Sequence, residues 1–355
     1  MNWKNQIVKI MIPILAILIA FIIGAVLILI IGGNPLVSFS YLITGAVGSP
    51  SNIASCVIKA TPLIFTGLAA TFAYRCGVFN LGIEGQFVMG AIAALVCSQR
   101  LASVPVPVMI CLSILSGAVA GGLWGLIPGL LKIYRGLNEI IVTIMMNYIA
   151  ILFMGFLYSG PLREGNVPQT AAVTAKLPAI SSSSRIHIGI VIAVVLGVLI
   201  YYFLFYTALG LKLRAVGFNK TASNFNGFPV FRLMISSFLV SGAIAGLGGA
   251  VELFGSQYRL MSGFGDGYGF DGIAIALIAQ LNPIGTVIIA FLFAALSTGA
   301  TTMQVGTGMP TSVIDIIRAM VIVFAVAGGA FINLPKVRQF MSNRFLFKKA
   351  EEIRE

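Results

Sequence analysis

A polar elbow, Arg75-Cys76-Gly77-Val78-Phe79-Asn80-Leu81-Gly82-Ile83-Glu84-Gly85-Gln86, interrupts two apolar runs at 53–74 and 87–98. Asn80, Glu84 and Gln86 bring one carboxyl and two amides to a place where plain apolar chain would otherwise be expected. Irregular backbone at membrane depth survives only where protein buries it or water reaches it. An ionisable group there is costly enough to mark function by default. Two readings compete: these side chains line a path for a polar solute, or the elbow is a turn whose carboxyl caps a helix. A second polar set, Glu139, Thr143 and Asn147, is spaced i, i+4 and i+8 and so shares one helix face. That face points either into a water path or at hydrogen-bonding partners on a neighbouring helix. A third carboxyl, Asp271, opens the short apolar run 271–281. These seven residues are the candidate translocation pathway.

The elements that must position them follow from composition. The chain has 355 residues, 59% hydrophobic and 9% charged, with mean hydropathy +1.03. A soluble domain carries about 25% charged residues, so this chain cannot cover a water-exposed surface. The expected fold is an all-α polytopic membrane protein, a single transmembrane domain over 1–355 with about ten spans of roughly 20 residues. An uncleaved first span is expected at 10–31, followed by a loop at 33–52. Further spans are expected at 53–74, 83–98, from Pro105 and Pro107 onward, 139–158, 187–206, 233–251, 285–301 and 312–331. Residues 271–281 are too short to cross alone and read as a half-helix or as a span begun in the preceding loop. Glycine recurs every fourth residue at Gly117, Gly121, Gly125 and Gly129, a stripe that lets two helix backbones approach closely.

Charge sets the orientation. The net charge is +12, from 22 Lys and Arg against 10 Asp and Glu. Most of the basic residues fall in the segments that are internal if both termini are cytoplasmic, including 207–232 and the charged tail 335–355. They are scattered at helix ends and are not interleaved with aromatics on one patch, which argues against nucleic acid as a partner and for lipid. Gly-rich breaks after the first helices of spans 2–5 and 7–10, at 75–86 and 255–272, suggest an inverted repeat.

Much chemistry is missing from the sequence. No Gly-x-x-x-x-Gly-Lys-Ser/Thr loop is present to cradle ATP phosphates, and no His-Glu-x-x-His or Gly-x-Ser-x-Gly occurs. The lone His187 reads as a membrane-interface residue, and Cys56, Cys76, Cys97 and Cys111 as packed thiols without a metal or disulfide framework. An enzyme is not expected.

The run Gly77 to Gln86 resembles the signature of permease subunits of ABC importers for nucleosides, within the ribose and branched-chain amino-acid permease superfamily. Gly267-Tyr268-Gly269-Phe270-Asp271-Gly272-Ile273-Ala274-Ile275-Ala276-Leu277 and Leu211-Lys212-Leu213-Arg214-Ala215-Val216-Gly217-Phe218-Asn219 are similar to two further family runs. The resemblance implies a permease of the bacterial plasma membrane that forms the translocation pathway for a nucleoside, or for a simple sugar such as ribose. It implies three protein partners: a separate ATPase subunit that binds ATP and Mg2+, a second permease subunit (paralogue or self), and a substrate-binding lipoprotein. No cofactor is expected on this chain. Thr221-Ala222-Ser223-Asn224-Phe225-Asn226-Gly227 resembles the Glu-Ala-Ala-x-x-x-Gly coupling pattern, with Thr for Glu and Ser for the second Ala. By that resemblance Arg214, Thr221, Ala222, Ser223 and Gly227 couple to the ATPase, and the 207–232 loop should hold a short helix around 221–226 ended by Gly227 and Pro229. The competing expectation is an ion-coupled secondary transporter acting without an ATPase, with Glu84, Glu139 and Asp271 as proton or sodium sites.

Overall fold

The computed structural model describes residues 18–180, 185–265 and 267–332; the expectations for 1–17, for Ser181–Ser184 and for the tail 335–355 lie outside the described residues. Among the described residues every named element is helical, and β-pairing is confined to isolated bridges such as Gln169 with Met261. The chain divides into two compact units, one of residues 44–298 and one combining 1–43 with 299–355.

The chain runs through α1 (Leu18–Ile30), α2 (Pro35–Val47), α3 (Pro50–Arg75), α4 (Ile83–Arg100), α5 (Val106–Arg135), α6 (Glu139–Ser159) and α7 (Gly189–Tyr206). Then follow α8 (Ala208–Phe218), α9 (Lys220–Phe225), α10 (Val230–Glu252) with a π-helical turn at Leu253–Gln257, α11 (Tyr268–Ile278), α12 (Pro283–Thr307) and α13 (Ser312–Ile332). Among the described residues six helices are long and apolar enough to cross a membrane: α3, α5, α6, α7, α10 with its π turn, and α12. Shorter apolar helices are Leu18–Ile30, α2 and α11.

The expected loop at 33–52 is corrected. Residues 35–47 are helix, and α3 already begins at Pro50. The reason is local: each proline occupies the first turn, where its missing N–H is not needed. Asn34 Oδ1 accepts from Leu36 N at 3.0 Å, and Ser49 Oγ accepts from Asn52 N at 3.1 Å, so both starts are side-chain capped. The expected half-helix is present as α11, eleven residues long and begun three residues earlier than the apolar run.

The unit 44–298 is organised around α4 and α10, each buried along most of its length, with α3, α5 and α11 against them. The Gly117–Gly129 stripe does what its spacing indicates. A Cβ on Gly121 would overlap the Gly242 carbonyl and crowd the Gly246 backbone, and one on Gly90 would overlap Gly246. Three helices thus meet backbone to backbone at one level, a contact only glycine permits. The outward faces of α6 and α7 carry exposed Ile141, Leu152, Phe156, Val195 and Leu199, as expected of surfaces that meet acyl chains. In the unit 1–43 with 299–355, Gly24 of α1 leaves room for the Ile317 side chain of α13, and Gly299 lies against the Leu42 backbone.

Candidate functional site

The elbow is a built junction. Cys76 and Gly77 close α3, with Gly77 at φ +70°, the left-handed region in which glycine carries no Cβ penalty. A Cβ there would also press on Gly217 of α8 at 3.1 Å. Asn80 and Gln86 then form a reciprocal amide pair. Asn80 Nδ2 donates to Gln86 Oε1 at 2.9 Å, and Gln86 Nε2 donates to Asn80 Oδ1 at 3.1 Å. The same Asn80 oxygen accepts from Gly82 N at 3.0 Å. Its nitrogen also donates to Ser241 Oγ at 3.0 Å, and Ser241 in turn donates to the Ala69 carbonyl at 2.8 Å. Three helices and the elbow share one closed set of hydrogen bonds, as buried polar groups require.

The Glu139, Thr143 and Asn147 face of α6 turns onto this elbow. Asn147 Nδ2 donates to the Leu81 carbonyl and Asn147 Oδ1 accepts from Gly85 N, both at 2.8 Å. The side-chain amide thus replaces a strand-like backbone partner for the irregular stretch. Thr143 is buried and gives its hydroxyl to its own helix at the Glu139 carbonyl, 2.6 Å away. The Glu139 carboxylate is ion-paired with Lys132 across the turn that joins α5 to α6.

Glu84 makes the most consequential contact. Its two carboxylate oxygens accept from Gly267 N and Gly269 N, each at 2.7 Å. These are the orphan donors at the N-terminus of α11. An anion there also meets the positive end of the helix dipole, and charge-assisted bonds of this length are the stronger kind. The approach is tight: a Cβ on Gly269 would overlap the Glu84 backbone. At the opposite end of α11, Arg75 Nε donates to the Leu281 carbonyl at 2.8 Å and Arg75 Nη2 to the Gln280 carbonyl at 3.2 Å. Gln280 and Leu281 hold φ of +53° and +57°, a conformation non-glycine residues adopt only when their surroundings impose it. The elbow therefore grips the half-helix by both ends, carboxylate at the N-terminus and guanidinium beyond the C-terminus, the polarity the helix dipole favours.

Six of the seven residues expected to line a pathway are buried: Asn80, Glu84, Gln86, Glu139, Thr143 and Asn147. Asp271, in the first turn of α11, is half-buried. Sequence reasoning placed Arg75 in the elbow only as a topology charge and did not single out Ser241; the strained turn at 280–281 carried no signal beyond Pro283 behind it. The basic segment holds the expected short helix, α9, with Asn219 Oδ1 accepting from Ala222 N at 2.9 Å as its N-cap and Gly227 at φ +74° beyond its end. Thr221, Ala222 and Gly227 are exposed, Ser223 is buried, and the Arg214 guanidinium lies 4.9 Å over the Phe205 ring. Phe218, the last residue of α8, and Phe225, the last residue of α9, stand 82% and 87% exposed.

His187 was read as an interfacial residue. It is buried, with Nδ1 accepting from Gly189 N at 3.2 Å and Nε2 without a partner among the described residues. Burial pushes its pKa below the usual imidazole range.

A family described as the branched-chain amino acid transport system / permease component matches residues 52–326. Among curated relatives, the chain is 37% identical over 327 residues to the guanosine ABC transporter permease protein NupP of Bacillus subtilis, covering 90% of this chain and 94% of that one. It is 33% identical over 366 residues to the nucleoside ABC transporter permease protein NupB of Lactococcus lactis, covering 99% and 100%. It is 31% identical over 333 residues to the glucose ABC transporter permease protein TsgB13 of Haloferax volcanii, covering 90% and 87%. No solved structure matches the chain. The matched region holds the elbow, the half-helix it grips and the basic segment with α9, and on that ground the chain belongs to the branched-chain amino acid transport permease family.

Proposed function

We propose that this chain is the membrane-spanning permease subunit of an ABC importer that carries a nucleoside across the bacterial plasma membrane. The relatives named for guanosine and nucleosides, matched along nearly the whole chain, support the substrate class. A simple sugar is the alternative that the glucose permease relative keeps open. The chain is one permease domain of about ten spans with both termini cytoplasmic. The paired breaks after α3 and α10, each leading into a helix that begins inside the bundle, support an inverted repeat. ATP and Mg2+ act on a separate ATPase subunit, since the chain has no loop to hold them. A second permease subunit, paralogue or self, completes the membrane part, and a binding lipoprotein delivers the solute from outside. The pathway is assigned to Asn80, Glu84, Gln86, Glu139, Thr143, Asn147 and Asp271, whose hydrogen bonds must exchange as the helices move.

The observation that carries this reading is α9. A six-residue helix cannot be stable by itself, yet α9 is capped at its start, stopped at its end, and presents Thr221, Ala222 and Phe225 outward. Arg214, Thr221, Ala222, Ser223 and Gly227 form the coupling element, docked in a groove of the ATPase. Because Ala222 is exposed here, Ala222→Glu should leave the permease inserted and folded. In a docked interface the added volume and unpaired charge cost about 2 kcal/mol or more, so the variant should lose the ATPase on co-purification and lose ATP-driven uptake of guanosine. Normal co-purification with normal uptake would sink the coupling role. Uptake by the permease alone, without ATP, would return weight to an ion-coupled secondary transporter.

A further inference from the structure

Arg75 has a second neighbour that coupling and half-helix capping leave unused. Its guanidinium centre lies 5.3 Å from the Phe205 ring centroid, and that of Arg214 lies 4.9 Å from the same ring. Gly217, one turn beyond Arg214 on α8, packs on the Arg75 backbone, so α8 meets the end of α3 directly. Neither arginine is in an ion pair among the described residues. Arg214 Nε is shielded from solvent and has no hydrogen-bond partner among the described residues. Two like charges converging on one ring are held together by a cation–π attraction of about 0.5–2 kcal/mol each, while their mutual repulsion is unrelieved.

We propose that Arg75, Arg214 and Phe205 form a binding site for a phosphate-type anion, filled in the membrane by the phosphodiester of an anionic phospholipid. An arginine presents five donors in a planar fork matched to phosphate oxygens, and Arg75 spends only Nε and one Nη on the 280–281 carbonyls. The position suits a lipid. Both arginines and Phe205 are half-buried, and Phe205 stands with Tyr201, ring centroids 5.0 Å apart, beside the exposed Tyr202 and Tyr206 at the end of α7. Tyrosines at helix ends mark the bilayer interface, and basic pockets between helices on the cytoplasmic side bind anionic headgroups. The site rests on the proposed orientation, which puts this end of α3, α7 and α8 inside. Through Arg75 the occupant is linked to the strained turn behind α11, so an anionic lipid stabilises the grip on the half-helix.

The test reads lipid retention, which does not depend on transport. The full-length permease is placed in nanodiscs of phosphatidylcholine with phosphatidylglycerol, and bound phosphatidylglycerol is measured by native mass spectrometry. Wild type should retain it. Arg214→Gln should lower retention roughly tenfold, the scale of one charge-assisted contact. Lys212→Gln, which removes a charge from the same helix away from Phe205, should not. Arg214→Lys keeps charge without the fork and should fall between, which covers the case in which the glutamine variant inserts poorly. Equal retention by wild type and both Arg214 variants overturns the site. Protection from thermal unfolding by inorganic phosphate as strong as by phosphatidylglycerol vesicles, lost in Arg214→Gln, would overturn the lipid as occupant and leave soluble phosphate in its place.

Discussion

Glu84 is a carboxylate whose two oxygens each accept from a backbone N–H at the start of α11. Glu84→Ala leaves both donors without that partner and should cost about 3 kcal/mol, since bonds to a charged group are worth roughly 1.5–3 kcal/mol each and do not add fully. Glu84→Gln keeps one acceptor but turns an NH2 toward the other N–H, and should cost about half as much. Thermal unfolding in detergent checks the order Ala, then Gln, then wild type; equal melting of all three would show that the contact does not hold α11. His187 makes a second prediction. Its folded pKa lies below the unfolded value of about 6.5 because burial disfavours the charged ring. Below that value the unfolded chain binds a proton the native chain refuses. The stability is therefore fully present above about pH 6.5 and is lost as pH falls from there toward the depressed folded value. His187→Gln should flatten the fall in melting temperature between about pH 7 and 5. An unchanged slope would assign the acid sensitivity to other groups.

Helices here are placed by what they lack as much as by what they carry. α10 meets α4 and α5 through Gly90, Gly121, Gly242 and Gly246, with no side chain between the backbones. Van der Waals contact and close approach drive such association in lipid, where apolar burial gives no advantage. Gly246→Ala should separate three helices at once and cost about 1–3 kcal/mol as overpacking. Gly155→Ala in α6 is the matched control: its nearest neighbour is the Tyr158 hydroxyl at 3.8 Å, so removal of a helix-interior glycine should be neutral or stabilising by up to about 1 kcal/mol. Melting temperatures of the two variants should move in opposite directions. If Gly246→Ala melts like Gly155→Ala, the junction is looser than its geometry.

A permease must exchange its polar contacts while it moves, and the elbow's closed network fits one end of such a cycle. Asp271 is half-buried, whereas Asn80, Gln86 and Asn147 are fully enclosed. In the assembled importer without ATP, Asp271→Cys should react with a small aqueous thiol reagent while Asn147→Cys stays protected. With ATP and substrate turning over, Asn147→Cys should gain reactivity several-fold. Protection of Asn147→Cys in both conditions, with uptake retained, would make it a packing residue and place the pathway elsewhere.

Composition and apolar run length were enough to read an all-helical membrane protein, and the i, i+4, i+8 spacing was enough to put Glu139, Thr143 and Asn147 on one face. Those features depend on local period and on the cost of exposing charge, both written residue by residue. The helix at 35–47 escaped because Gly, Pro and Ser signal turns equally with helix starts, and only capping by Asn34 and Ser49 separates the two. The partners of the polar residues were not legible. Whether Asn147 faces water or the Leu81 carbonyl, and whether Glu84 is spare or spent on Gly267 and Gly269, depends on contacts between positions 66 to 185 residues apart. A helical period fixes the direction of a side chain relative to its own axis. It says nothing of which other backbone, stripped of side chains by glycine, comes close enough to take the hydrogen bond.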